Sequence, residues 1–205
     1  IETKIYNSTK NDIIFVKDRF IFLKDAIKFK HICWTPRHSP VISPDVSTYF
    51  KTKILKYKPN ITTYDKLFIG RKNNNKRKII NDKEVIETIK KHNFKVIFLE
   101  NFSITEQAYL FNKARQIAGL HGAGFTNLIF CNAGTKIIEL QNFVNVTTFF
   151  LLSKQLGLDY NYILPKEFDF NKITDPYENR KLFFDQKWTN TSYDIEKLNH
   201  ELEKI

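Results

Sequence analysis

The chain has 205 residues, 42% of them hydrophobic and 15% aromatic, which is enough apolar surface for one sizeable core and argues against a disordered polypeptide. Lys and Arg outnumber Asp and Glu by 33 to 22, a formal net charge of +11, and residues 51–100 alone hold 14 basic and 5 acidic side chains. Such a local field suits nucleic acid, an anionic membrane face or a phosphorylated small molecule, and charge does not choose among them. No apolar run reaches the roughly 18 residues of a membrane-spanning helix, and the first residues lack the build of a signal peptide. The absence of methionine, position 1 included, leads us to expect a longer parent polypeptide, with room upstream for a targeting or anchoring segment.

Residues 1–62 read as a partial lobe or a small cap on a sheet formed by the rest of the chain. Ile13 to Leu23 is β-rich, Thr35 to Pro44 is a Pro-punctuated loop, and Val46 to Tyr57 has the pattern of a helix. From residue 63 to 205 short β-rich runs alternate with longer helical patterns, the signature of a parallel sheet covered by helices. Lys66 to Ile69 is a strand ending at Gly70. Asp82 to His92 places Val85, Ile86 and Ile89 on one helical face, with Asn81 as the expected cap. Lys95 to Leu99 is a second strand. Ser103 to Glu106 has the Ser-x-x-Glu form of a capping box and opens a helix through Ala114.

Gln116 to Leu120 is a short buried strand that runs into Gly119-Leu120-His121-Gly122-Ala123-Gly124, which holds three of the chain's six glycines. Thr135 to Leu140 and Tyr160 to Leu164 are further strands around a helix, Val146 to Leu156, closed by Gly157, and Asp194 to Ile205 is a charged amphipathic helix. The fold class is therefore α/β, a doubly wound, Rossmann-like parallel sheet of about five strands.

In such sheets ligands bind at the carboxyl ends of the strands, where helix N-termini offer amides. With a helix beginning at Phe125-Thr126-Asn127, the amides of Gly122 to Gly124 would face a phosphate; the other reading is a merely tight turn. The spacing is neither that of a dinucleotide fingerprint nor that of a P-loop. His121 would lie at the mouth of the pocket, positioned to donate to a phosphate or sugar oxygen, or would be a satisfied structural residue. Gly70 to Arg77 comes directly after the first strand of this sheet. Its lysines read as a solvated loop, whereas the planar forks of Arg71 and Arg77 suit diphosphate oxygens. Glu139, an acid in an apolar strand, would accept from ribose hydroxyls or stand exposed at a strand end. The strand-end residues Glu100 to Phe102 would lie near the base or ribose of a bound nucleotide. Cys33 and Cys131 read as ordinary thiols, with no metal-ligand spacing nearby. Asn-x-Ser/Thr triplets at Asn7, Asn60, Asn101, Asn145 and Asn190 are of the frequency that an Asn-rich chain generates by chance.

The ordered set Ile69-Gly70-Arg71, Arg77 to Asp82, His121 to Asn127 and Thr135 to Leu140 resembles the glycosyltransferase family that includes EGF-domain O-GlcNAc transferase, plant xylan arabinosyl- and xylosyltransferases and bacterial capsular polysaccharide proteins. Gly70 stands where that family often has Ser, and Phe125 where Leu is common. The resemblance implies the donor lobe of a two-lobed GT-B enzyme with a short, incomplete amino-terminal lobe. It implies an inverting reaction on a nucleotide sugar, a UDP-sugar first of all, with no cofactor and no metal at the diphosphate. Donor contacts would fall to Arg71, Arg77, Gly122, Ala123, Gly124, Asn127, Glu139 and Glu100. His121 would act at the reacting centre, and the base would be Asp45 or His38. The implied partners are the donor and a glycan or glycoprotein acceptor; association with a membrane surface and the compartment both stay open, with cytoplasmic glycan synthesis preferred to the secretory lumen. Two other readings stand beside this one: a basic nucleic-acid-binding module, and an inactive relic of the donor lobe that binds a nucleotide or a partner protein. The first finds no recognition motif in the sequence.

Overall fold

The computed structural model describes residues 3–5, 14–16, 32–34, 40–42, 44–71, 79–141, 148–166 and 191–204, with side chains from residue 47 onward. The chain forms two compact units, Ile1–Lys30 and His31–Ile205. The first contains an antiparallel pair, β1 (Thr3–Ile5) with β2 (Ile14–Val16), in which Thr3 faces Val16. Within the second unit β3 (Ile32–Trp34) and β4 (Pro40–Ile42) form another antiparallel pair, so the Pro-rich stretch contributes a strand. Helix α1 (Pro44–Ile54) comes next; it starts two residues before the expected Val46, with proline in its first turn where the missing N–H costs nothing.

The main sheet has five parallel strands: β5 (Lys66–Ile69), β6 (Lys95–Ile97), β7 (Gln116–Leu120), β8 (Lys136–Leu140) and β9 (Asp159–Ile163), in the spatial order β6-β5-β7-β8-β9. Numbered from β5, this is the order 2-1-3-4-5 of a doubly wound sheet, with its switch point between β5 and β7. The sheet is covered on both sides, and the strands show it. Leu67, Ile69, Ile117 and Ile137 belong to one apolar cluster with Leu110 and Phe111 of α3 (Ile104–Lys113) and Phe149 and Leu152 of α4 (Thr148–Leu156). The alternating residues Phe68, Ala118, Leu120, Ile138 and Leu140 belong to a second cluster with Val85 and Ile89 of α2 (Asp82–Lys91) and Leu198 and Leu202 of α5 (Ile195–Glu203). Period-two alternation within continuous apolar runs is what a sheet buried on both faces requires.

The helix ends obey local chemistry, with one correction. Ser103 caps α3 as a full capping box with Glu106. The Asp194 carboxylate accepts from the amides of Glu196 and Lys197 at the start of α5. Asn81 does not cap α2 with its side chain. Its amide donates to the carbonyl of Tyr193 at 2.9 Å, and its oxygen accepts from the Tyr193 amide at 3.1 Å. Satisfying a distant backbone segment on both its donor and its acceptor won over capping, and it ties the start of α2 to the approach to α5. Gly157 closes α4 with φ +67, as its position implies.

Candidate functional site

The carboxyl ends of β5 and β7 lie side by side because Ile69 pairs with Gly119. The chain leaves β5 through Gly70, whose amide still bonds to the Ile97 carbonyl of β6 at 2.8 Å, and then presents Arg71. It leaves β7 through His121, whose amide still bonds to the Leu140 carbonyl of β8 at 2.9 Å. The Arg71 guanidinium donates to the His121 carbonyl at 2.6 Å, which draws the two strand ends into one rim at the switch point. The expectation that Gly70-Arg71 and the glycine segment share one edge of the sheet is therefore met for Arg71. Arg77 lies in 72–78, outside the described residues.

After Gly122 the chain enters a 3-10 helix, Ala123–Phe130, which starts two residues earlier than expected and is more tightly wound than an α-helix. The Phe125 amide bonds back to the Gly122 carbonyl at 3.0 Å, and helix geometry leaves the amides of Ala123 and Gly124 without an intrahelical acceptor. The glycines themselves have a packing reason. A Cβ on Gly119 would meet the Cβ of Ile69 at 2.9 Å and the Phe125 ring at 3.1 Å, and one on Gly124 would meet Leu99 at 2.9 Å. Gly122 is extended, with φ 165 and ψ 179, a conformation open to any residue. The close approach that the sequence signals at Gly119 and Gly124 is thus made first by the protein's own side chains.

Below the rim lies a buried polar cluster that the sequence only half shows. Glu139 has no solvent exposure, which excludes the exposed strand-end alternative. Its carboxylate accepts from Nδ1 of His121, from the Tyr160 hydroxyl and, at 3.0 Å, from the Gln141 amide. The Gln141 amide also lies 3.1 Å from the Tyr160 hydroxyl oxygen. Several donors are what a carboxylate in an apolar interior needs, since an unsatisfied one costs several kcal/mol. The bond from Nδ1 fixes the tautomer and orientation of His121, and the Phe149 ring, tilted 52° with its centroid 5.2 Å away, packs against the imidazole. His121 is 8% exposed, buried at the rim rather than displayed. Burial first, and then the negative charge of Glu139, push the Tyr160 phenol far above its usual range, so it remains a donor.

Tyr160 and Gln141 are the site residues that sequence reasoning missed. A signal was present: Glu139 and Gln141 are two polar residues on the same face of an apolar strand, and a buried pair of that kind needs a partner from the next strand.

Asn127 is buried, and its amide donates to the Gln107 side chain at 2.9 Å and the Gly124 carbonyl at 3.3 Å. Gln107 in turn donates to the carbonyls of Leu99 and Phe102. That chain of bonds holds the short 3-10 helix Leu99–Asn101, which carries the exposed Glu100 at the end of β6, against the glycine segment. Asp45 lies in the first turn of α1, but its side chain and all of His38 fall outside the described residues. The body of α1 packs along the far end of the longer 3-10 helix, where Ser47 donates to the Ile129 carbonyl at 3.2 Å and Lys51 to that of Cys131. Cys131 is a free, buried thiol, as expected; the side chain of Cys33 is not described. Among the described residues no group of three His, Cys, Asp or Glu side chains is arranged to hold a metal, and no helix is long and apolar enough to cross a membrane.

A five-stranded parallel sheet in this order is Rossmann-like in architecture, a class in which the switch point is the usual place for a ligand. The family model of glycosyltransferase 61 matches residues 11–138, more than half of the chain and the whole segment from Arg71 to Gly124. The chain belongs to that family, the one that includes EGF-domain O-GlcNAc transferase and plant xylan arabinosyltransferases, and its activity is that of a glycosyltransferase. The comparison with curated proteins found no match.

Proposed function

We propose that the chain is the donor-binding part of an inverting GT-B glycosyltransferase that moves a sugar from a nucleotide diphosphate sugar, a UDP-sugar first of all, to a hydroxyl of a glycan or protein. The observation that carries this reading is the Arg71 hydrogen bond to the His121 carbonyl, because it sets a guanidinium beside the first amides of a helix at the switch point. Those groups are the donor set a diphosphate calls for.

In this mechanism the bond from the acceptor oxygen to the anomeric carbon forms as the bond to the diphosphate oxygen breaks. The electron pair leaves with the nucleoside diphosphate, and the acceptor's proton passes to a base. Negative charge grows on the leaving diphosphate, so fixed donors aimed there lower the barrier. Arg71, the amides of Ala123 and Gly124, and Arg77 supply those donors without a metal ion. His121, oriented by Glu139, donates to a phosphate or sugar oxygen. Glu139 then acts through His121 rather than on the ribose, since its carboxylate is engaged by His121, Tyr160 and Gln141. Glu100, exposed at the end of β6, takes the place beside the nucleoside. The base comes from the segment 1–62, with Asp45 and His38 as its candidates.

Calorimetric titration with UDP, GDP and CMP, with and without chelator, tests the reading. The expected outcome is selective, metal-independent binding of UDP. A folded sample that binds no nucleotide would sink it and favour a relic that has kept the fold without the donor site.

A further inference from the structure

One line of side chains crosses three neighbouring strands on the face of the sheet that α4 covers. His121 stands at the end of β7, Glu139 on β8 with Gln141 just beyond it, and Tyr160 on β9. Alternate residues of a strand share a face, which puts Ile117, Gly119 and His121 on one side together with Ile137, Glu139 and Gln141. Tyr160 lies beside Ile137 in the strand register, and its ring is long enough to reach diagonally to Glu139, two residues further on. Helix α4 packs on both ends of the line. Phe149 lies against the His121 imidazole, and its neighbour Phe150 meets the Tyr160 ring edge-on, at 68° with the centroids 5.7 Å apart.

The two oxygens of Glu139 are divided between partners. Oε2 accepts from the Tyr160 hydroxyl and, at 3.0 Å, from the Gln141 amide, while Oε1 accepts from Nδ1 of His121. Two donors on one oxygen fix the plane of the carboxylate, and with it the direction of the other oxygen and of the ring bonded to it. Gln141 bears the mark of this arrangement. Its amide nitrogen is turned to Glu139 and to the Tyr160 phenol oxygen at 3.1 Å, whereas its own side-chain oxygen is buried with no donor among the described residues. The reverse orientation would set an amide oxygen against a carboxylate oxygen, so the orphan acceptor is the lesser cost.

We infer that Tyr160 and Gln141 are positioning residues for His121: they hold Glu139 by one oxygen, so that its other oxygen keeps Nδ1 of the imidazole inward and Nε2 pointed away from the carboxylate, toward the ligand. The inference rests on the donor-site reading of His121. Neither residue touches the ligand; both act through Glu139. Burial and the Glu139 charge keep the Tyr160 phenol protonated, so it is a donor to Oε2 at neutral pH. A hydrogen bond donated from Nε2 needs the ring to carry both protons, and the Glu139 carboxylate is the counter-charge for that form.

The test is read on the full chain in two ways. Imidazole nitrogen spectra of the free protein follow the His121 Nδ1 proton and its exchange with water, and calorimetry follows UDP. Tyr160→Phe and Gln141→Met each remove one donor to Oε2. Gln141→Met also removes the orphan oxygen, so it keeps the melting curve close to wild type and reads positioning apart from stability. Each variant is expected to speed exchange of the Nδ1 proton about tenfold and to weaken UDP about fivefold, within the range over which side chains of one network couple. Both losses of affinity should vanish in a His121→Ala background, because residues that act through His121 then have nothing left to position. Unchanged exchange in both variants, or a loss of UDP affinity that adds in full to that of His121→Ala, would overturn the inference. Failure of wild type to bind UDP would remove the donor reading instead, and the exchange rates would decide by themselves whether Tyr160 and Gln141 hold His121.

Discussion

Arg71 donates a 2.6 Å hydrogen bond to the main-chain carbonyl of His121, fifty residues further along the chain, and so joins the ends of two neighbouring parallel strands. The carbonyl it reaches is two residues before the 3-10 helix that begins at Ala123. Replacing Arg71 should therefore affect ligand binding more than folding. Arg71→Ala is expected to weaken UDP by at least tenfold, about 1.4 kcal/mol, while the melting temperature moves by only a few degrees. Arg71→Lys should restore little, because an ammonium lacks the planar fork. Calorimetry paired with a thermal melt reads both quantities; unchanged UDP affinity in a folded Arg71→Ala protein would remove Arg71 from the donor site.

Glu139 and Tyr160 couple stability to pH. The Tyr160 phenol is raised above its unfolded value by burial and by the neighbouring carboxylate. A group with a raised folded pKa contributes stability that is fully present below the unfolded value, about 10 for tyrosine, and is lost as pH rises beyond it. Urea unfolding of wild type should thus fall more steeply above pH 10 than that of Tyr160→Phe, by about 1.4 kcal/mol per pH unit. Parallel slopes for the two proteins would show that the phenol ionises freely in the native state. At neutral pH Tyr160→Phe should itself cost about 1–3 kcal/mol, since it removes a hydrogen bond to a buried carboxylate.

Gly119 and Gly124 should respond differently to the same added methyl. At Gly119 the new Cβ meets the branch point of Ile69 at 2.9 Å, and backbone behind it at 3.2 Å. Neither can move without shifting β5, and Gly119→Ala is expected to destabilise by about 1–3 kcal/mol. At Gly124 the nearest atom is the terminal methyl of Leu99, which a rotamer change can relieve. Gly124→Ala should cost less than Gly119→Ala in chemical denaturation, and the reverse order would contradict this difference in packing.

Burial pushes the Cys131 thiol far above its usual range, so little thiolate is present at neutral pH. In a Cys33→Ser background, a thiol reagent such as dithionitrobenzoate should modify Cys131 only as fast as the protein opens. Native labelling within seconds would place the thiol at the surface.

Much of the architecture was legible from residue order. Leu67 to Ile69, Ile117 to Leu120 and Ile137 to Leu140 carry strand patterning, Ser103 and Glu106 announce the start of α3, and Gly157 marks the end of α4, because each signal is confined to one turn or one pleat. The family was legible too, through motifs that keep their order along the chain. Asn81 was misread for the opposite reason: its side chain answers to Tyr193, which is close in space and more than a hundred residues away in sequence.

By itself, then, the sequence determined the strands and helices of the main sheet in their order, the α/β class, the family and the segment that carries Arg71 and His121; it did not show the strands Thr3–Ile5 and Pro40–Ile42. Only the tertiary structure decided which strands are neighbours, and with that which side chains meet. Placing β5 between β6 and β7 sets Arg71 against His121; placing β9 beside β8 sets Tyr160 against Glu139. Local propensity and hydrophobic period are set within a window of a few residues. Strand order is settled by the burial of both sheet faces at once, a sum over the whole chain that no single segment contains.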